Sequence, residues 1–68
     1  MKRTFTIEDG TVVTQHKVLC SDKRILQRED FRDPDGRRHS TGYRRMGRLN
    51  GSKDLWVAWH VANGWKTE

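Results

Sequence analysis

Alternating apolar and polar side chains mark the first part of the chain. In residues 3–9, Phe5 and Ile7 occupy one side of the alternation, the expected core side, and threonines and a glutamate occupy the other. Asp9-Gly10 follows, a dipeptide that favours the left-handed backbone of a tight two-residue hairpin turn. The more apolar side of the next ten residues is formed by Val12, Thr14, His16, Val18 and Cys20. The pattern predicts a β-hairpin over residues 3–20.

The next segment carries signals of a short helix. Ser21 or Asp22 can cap its N-terminus, and the helix would run to about Phe31 with Ile25-Leu26 as its buried contacts. Two adjacent apolar residues form a narrow stripe, so such a helix would depend on packing against the rest of the domain. Asp33-Pro34-Asp35-Gly36 then ends it, because proline presets a turn and glycine permits the exit.

The last apolar run, Leu55 to Ala62, fits two structures. As a helix it has Ser52 as its N-cap, Asp54 in its first turn and Asn63-Gly64 as its stop. As a strand it places Leu55, Val57, Trp59 and Val61 on one face. The tryptophan and valine content, and the Asn50-Gly51 turn before it, favour the strand.

Together these elements predict one small α+β domain over residues 1–68. The expected architecture is two β-hairpins with a short intervening helix (ββαββ) and an antiparallel sheet. Between Arg37 and Arg48 the chain contains two glycines and alternates loosely, which favours a strand or an ordered loop over a helix.

The supply of core residues is small. Leu, Ile, Val and Phe together number 13 of 68 residues, just under the fifth below which a chain tends toward disorder. Three tryptophans and a tyrosine oppose that tendency, because each ring can bury roughly 150–250 Å². A small folded domain is expected, for which a homodimer or a bound partner is a natural source of added stability.

The cysteine content and the lengths of the apolar runs bear on the cellular compartment. Cys20 is the single cysteine, so no internal disulfide can form and the disulfide-rich secreted class is excluded. No apolar run reaches membrane length, and no signal-peptide core follows Met1. The sequence predicts a cytoplasmic protein that makes no membrane contact.

Charge is concentrated in one segment. The chain has a net charge of +5, and the segment Arg37–Arg48, which reads RRHSTGYRRMGR, contains five arginines and no acid. Charges elsewhere nearly cancel. Arginine forms paired hydrogen bonds with phosphate or carboxylate and stacks on aromatic rings. A cluster of arginines attracts polyanions, so this segment is the predicted binding site.

Individual roles can be assigned within that segment. The candidate phosphate contacts are Arg37, Arg38, Arg44, Arg45 and Arg48. Tyr43 lies between arginines and is a candidate for stacking on a base, with His39 as a further contact to a base or sugar. The alternative for Tyr43 is a ring that covers the edge of the core with its hydroxyl in water.

The three tryptophans divide into two groups. Trp56 and Trp59 lie in the longest apolar run, and we expect them in the core. Trp65 stands apart after Asn63-Gly64. It is predicted either to fold back onto the core or to form an exposed anchor for a partner, since tryptophan is enriched at binding hot spots.

Catalytic and metal chemistry are weakly supported. His16 and Cys20 have a ligand spacing only on a helix, whereas the pattern places them on a strand, and no Cys-x-x-Cys motif exists. His39, Tyr43 and His60 are residue types that serve in RNA cleavage, but their spacing defines no acid–base pair. The sequence therefore predicts no metal, no cofactor and no enzymatic activity.

Two functions remain. The first is a small regulatory or accessory protein that binds DNA or RNA through Arg37–Arg48. The second is an inhibitor or adaptor that docks on an acidic surface of a larger protein, with Trp65 or Trp56 as its anchor. The composition resembles that of small accessory proteins of bacteriophages and mobile elements, a similarity compatible with either function.

Overall fold

The computed structural model describes all residues from Met1 to Glu68 and contains an antiparallel sheet and one short helix. The expected α+β class is confirmed at this level, although five strands are present and the single helix comes last. The elements are β1 Lys2–Thr6, β2 Val12–Leu19, β3 Arg24–Arg32, β4 Arg38–Ser40, β5 Arg44–Arg48 and α1 Lys53–Ala62.

β3 is the centre of the sheet. The strand order is β1-β2-β3-β4, and β5 also pairs with β3. β4 pairs with Asp30–Arg32 and β5 with Arg24–Gln27, so the two short strands lie end to end along the same side of β3. A register shift between Ile25 and Leu26 marks a bulge in the β3–β5 pairing. The sheet is therefore four strands wide, and β4 and β5 share its fourth place.

The three tight turns of the sheet share one construction. Each is a four-residue turn in which the N–H of the fourth residue donates to the carbonyl of the first at 2.9 Å. The fourth residue has a positive φ: Gly10 at 90°, Lys23 at 70° and Gly36 at 88°. A hairpin of this kind has a turn followed by a left-handed residue. It replaces the two-residue Asp9-Gly10 turn that the sequence predicts.

An aspartate stabilises each of these turns. Asp9, Asp22 and Asp35 occupy the third position, and the Oδ1 of each accepts the backbone N–H two residues further on. The Thr11 N–H bond lowers the pKa of Asp9, and the Arg24 N–H bond does the same for Asp22. The three aspartates recur at intervals of 13 residues. The turns between β1, β2, β3 and β4, which form an antiparallel meander, therefore correspond to a repeat in the sequence.

The helix predicted from Ser21 or Asp22 to about Phe31 is wrong, because this segment forms a turn and then β3. Asp22 does satisfy a backbone N–H, but that of Arg24 in a turn rather than one at a helix start. The long β2–β3 ladder supplies backbone partners to Arg24–Arg32 along its whole length. These partners outweigh the local capping signal.

The strand favoured for Leu55 to Ala62 is also wrong, and the helical alternative is correct. Ser52 is the N-cap: its Oγ accepts the N–H groups of Asp54 and Leu55. Asn63 is the C-cap, and its side-chain amide donates to the carbonyl of Trp59 at 2.7 Å. Both ends of the helix are therefore satisfied locally, although valine and tryptophan are poor helix formers. The ββαββ order gives way to five strands followed by α1.

The core is small and contains aromatic and polar groups. Its buried apolar residues are Val13, at 3% exposure, and Trp65, at 4%. His60 is buried beside Trp65, whereas Trp59 is 58% exposed, so the expectation of a buried Trp59 is wrong. Large apolar side chains also remain on the surface, among them Phe5 and Ile7, which the alternation assigned to the core.

Lys23 gives a direct test of the shared turn. Its φ of 70° lies in the region that favours glycine, so Lys23→Gly should raise the free energy of unfolding by about 1 kcal/mol. The matched control is Gly36→Lys, where no atom lies within 4 Å of the added Cβ. It should lower stability by a similar amount. Urea unfolding measures both, and equal midpoints for Lys23→Gly and the parent would contradict the turn geometry.

Candidate nucleic-acid interface

The sheet has two chemically different faces. Arg3 and Lys17 lie on the side that contacts α1 and Trp65, since the Lys17 Nζ is 2.9 Å from His60 Nε2 and both cations lie over the Trp65 ring. We call this side the covered face. Side chains alternate along a strand. The opposite side, the open face, is formed by the even-numbered residues of β1, β2 and β3 with Arg38, Ser40, Arg45 and Arg48.

Arginines dominate the open face along the sheet's β3 side. Three come from β3, at positions four apart, and three come from the strands beside it. They are Arg24, Arg28, Arg32, Arg38, Arg45 and Arg48. Cross-strand pairing brings Arg32 next to Arg38 and Arg24 next to Arg48. Neighbouring strands are about 4.8 Å apart, so these guanidinium groups form one continuous positive surface.

Two carboxylates pair with arginines of this surface: Asp22 Oδ2 lies 2.6 Å from Arg24 Nε, and Asp30 lies beside Arg28. Asp30 accepts hydrogen bonds from Ser40 Oγ at 2.6 Å and from His16 Nε2 at 2.9 Å, and its Oδ2 lies 3.4 Å from an Arg28 nitrogen. The Ser40 hydrogen bond, with Arg28 and His16 adding smaller effects, holds the pKa of Asp30 below its ordinary value. His16 also contacts Glu68 Oε1 at 3.0 Å through Nδ1. Asp30 is therefore an ionised group held in one position.

Arg28 connects Asp30 to Tyr43. Its guanidinium carbon lies 5.4 Å from the centroid of the Tyr43 ring, within the range of a cation–π contact. The Nε of Arg28 is buried and has no hydrogen-bond partner. Tyr43 is 48% exposed. Its ring is thus on the surface and in contact with a cation, so stacking on a base stays a prediction.

A concave site lies at the β4 end of the sheet. It has a volume of about 420 Å³. Arg32 and Arg38 line one part of it, and Asp30, Thr14 and Ser40 line another. Val12 contributes an apolar group, and Phe31 and His39, whose rings stack on the covered face, complete the lining. The lining therefore combines two cations, a fixed carboxylate and neutral hydrogen-bonding groups.

The predicted segment Arg37–Arg48 is divided between the two faces. Arg38, Arg45 and Arg48 belong to the open face, and Tyr43 stacks beside Arg28. Arg44 lies on the covered face, 3.6 Å from Glu29 Oε1. His39 also lies there, stacked on Phe31 at 4.8 Å between ring centroids. Arg37 occupies the turn, with its Nε 3.4 Å from Asp35. The strand pairing separates residues that the sequence treats as one site.

Trp65 folds back onto the core, which is the first of the two alternatives for this residue. Its ring contacts Arg3, at 4.6 Å, and Lys17, at 4.5 Å, and meets His60 edge-on at 5.5 Å. At 4% exposure it presents no free ring to a partner.

Three arginines of the open face escaped the sequence analysis. The sequence predicts a helix from Ser21 or Asp22 to about Phe31, which includes Arg24 and Arg28 and ends just before Arg32. Their spacing of four places all three on one side of a strand. The signal was therefore present, but it becomes visible only when residues 24–32 are treated as extended.

No known protein family, curated protein or solved structure matches this chain. No group of three or more His, Cys, Asp or Glu side chains is arranged to hold a metal ion. The one helix is too short and too polar to cross a lipid bilayer.

Proposed function

We propose that this protein is a non-enzymatic nucleic-acid-binding protein with a regulatory or accessory role, and that the open face is its binding surface. The observation that carries the proposal is the placement of six arginines on one side of the sheet, opposite the side on which Lys17 contacts His60 of α1. Phosphate contacts dominate affinity in such complexes and come mainly from arginine and lysine.

The reach of the arginines suits a duplex. Residues four apart on a strand are about 13 Å apart, close to the roughly 12 Å width of the DNA major groove. Arg28 and Arg32 can therefore contact phosphates or base edges across one groove. Proteins that bind single strands instead present several aromatic rings for stacking. Apart from His16, the open face has one ring, Tyr43, and Arg28 already covers part of it.

Salt titration with a matched pair of variants tests this proposal. Arg38→Ala/Arg45→Ala removes two arginines of the open face, whereas Arg37→Ala/Arg44→Ala removes their sequence neighbours, which lie in the turn and on the covered face. The charge change is identical. For a mixed-sequence duplex, the slope of log K against log salt should fall by at least about 0.9 in the first variant, since each phosphate contact contributes about 0.9 and Arg45 contacts phosphate whether or not Arg38 does. It should change little in the second.

Fluorescence anisotropy at several salt concentrations supplies the slopes, and circular dichroism confirms that each variant is folded. Equal slope changes in the two variants would show that net charge rather than the open face governs binding. A folded parent that binds neither DNA nor RNA at low salt would overturn the proposal.

An exposed apolar side of α1 favours a second candidate function, the inhibitor or adaptor of a larger protein. Leu55 is 72% exposed and Trp59 58%, and they lie one helical turn apart. This function predicts that Trp59→Ser weakens binding to the partner while binding to nucleic acid is unchanged. Because Trp65 is buried, Trp59 replaces it as the anchor residue.

A further inference from the structure

We propose that the concave site between Arg32, Arg38 and Asp30 reads a G·C base pair in the DNA major groove. The two arginines donate to guanine, and Asp30 accepts from the amino group of cytosine. This inference rests on the proposed function, because it names the substrate class of the same face.

The arrangement of charges in the site carries the inference. Arg32 and Arg38 are direct cross-strand partners, so their guanidinium groups start from one row of the sheet. Asp30 belongs to the next row, paired with Ser40 and Thr14, and two residues along a strand correspond to about 7 Å. The site therefore presents two donors together, with an acceptor to one side of them.

That order matches one type of base pair. In the major groove a G·C pair presents two adjacent acceptors, N7 and O6 of guanine, followed by the amino donor of cytosine. An A·T pair places its amino donor between two acceptors, N7 of adenine and O4 of thymine. A pair of arginines beside a carboxylate complements the first order and leaves the second mismatched.

Asp30 is suited to reading a base rather than to positioning the backbone. Asp30 already has Ser40, His16 and Arg28 as donors within the protein, and because a carboxylate repels phosphate, a further partner from the nucleic acid has to be a donor such as an amino group. Its side chain is 33% exposed, and its orientation is fixed by Ser40 at 2.6 Å and His16 at 2.9 Å. Each carboxylate oxygen can accept more than one hydrogen bond, which leaves capacity for an amino group from the groove.

Two duplexes of equal length provide the first measurement: 16 base pairs of alternating G·C and 16 of alternating A·T, at one fixed salt concentration. The parent should bind the G·C duplex about 5- to 150-fold more tightly, the range expected for one good base contact. Replacing every guanine by 7-deazaguanine removes N7 from the major groove alone, and it should cancel most of this preference.

The decisive variant is Asp30→Asn, with Glu29→Gln as its matched control. Both exchange a carboxylate for an amide at neighbouring positions, but Glu29 lies on the covered face, bonded to Gln15. Asp30→Asn should reduce the G·C preference at least about fivefold, because asparagine pairs with adenine. Glu29→Gln should leave the ratio unchanged.

The outcomes separate the inference from the proposed function. If the parent binds both duplexes equally and the Arg38→Ala/Arg45→Ala variant still weakens binding, the open face binds phosphate and the base-reading site is refuted. A preference that survives 7-deazaguanine, or that Asp30→Asn and Glu29→Gln alter equally, would also refute it. If neither duplex binds at low salt, the proposed function itself fails.

Discussion

Substituting Trp65 with alanine is expected to lower the free energy of unfolding by about 3–5 kcal/mol, enough to unfold most of the population of so small a domain. The ring is one of two buried apolar side chains, and it contacts Arg3, Lys17 and His60 at once. Its removal would leave a cavity and take the aromatic partner from two cations. Thermal unfolding followed by circular dichroism gives the magnitude.

Trp59→Ala is the control for that experiment. This ring is 58% exposed, so its loss should cost about 1 kcal/mol or less. The sequence alone suggests the opposite ranking, because Trp59 lies in the longest apolar run and Trp65 stands apart. If Trp59→Ala were less stable than Trp65→Ala, the side of α1 that contains Trp59 would have to be the buried side.

Stability is expected to fall as the pH drops from about 6.5, because His60 is held neutral. Its Nδ1 lies 2.7 Å from the carbonyl oxygen of Trp56 and must donate to it, so Nε2 accepts from the Lys17 ammonium at 2.9 Å. Burial, and then the charges of Lys17, the N-terminus and Arg3, lower the pKa of His60 below its ordinary value. Protonation of His60 at Nε2 would place an N–H group against the Lys17 ammonium, where neither group can accept a hydrogen bond and both are positively charged.

The sign follows from proton binding. A histidine with a lowered folded pKa binds fewer protons in the folded state than in the unfolded state. Its contribution is therefore complete above the unfolded pKa, near 6.5, and is lost as the pH falls toward the folded pKa, at no more than about 1.4 kcal/mol per pH unit. Asp30, whose folded pKa is also lowered, adds a separate loss near pH 4 and below.

Urea unfolding between pH 7.5 and 4.5 tests this dependence in the parent and in His60→Gln. Glutamine keeps hydrogen-bonding capacity but does not titrate, and His16 remains in both proteins. The difference between the two pH profiles therefore belongs to His60. Parallel profiles would rule out a neutral, buried His60 as the cause.

Local signals predicted the first hairpin correctly and supplied the helix α1 only as the alternative to the favoured strand. The β1–β2 hairpin follows from the alternation around Phe5 and from Asp9-Gly10, and α1 begins at the Ser52 cap that the helical alternative required. The β3 strand was missed because its middle is polar on both faces: Gln27 and Glu29 separate Ile25 from Phe31 on one face, and Arg28 and Asp30 follow Leu26 on the other. The apolar residues therefore do not alternate with polar ones along the strand, and no strand signal results.

The composition of the open face was predictable only in part for the same reason. Composition identified the arginine-rich segment, but which of its residues share a face depends on the pairing of β4 and β5 with β3. Arg44 and Arg45 are neighbours in sequence and lie on opposite sides of the sheet. The turn at Asp22 was also not recognised from the sequence, because Lys23 occupies the position that glycine has after Asp9 and Asp35.

The turns also bear on the order in which the molecule folds. Three of the four strand pairs, β1–β2, β2–β3 and β3–β4, join strands that are neighbours in sequence. Most contacts of the sheet are therefore local, and closing their loops costs little entropy. The contacts that attach α1 are different. Lys17 and His60 are 43 residues apart, and the pairing of Lys2 with Lys66 spans nearly the whole chain.

A low contact order in the sheet and a high one at the helix divide the molecule into two folding units. The meander can form early through its three aspartate turns, while Trp65 and α1 dock in a later step. Release of the helix also withdraws Trp65, one of the two buried apolar side chains, so the sheet is not expected to stay folded without it. The proposed binding surface is thus carried by the part of the chain that is expected to assemble first.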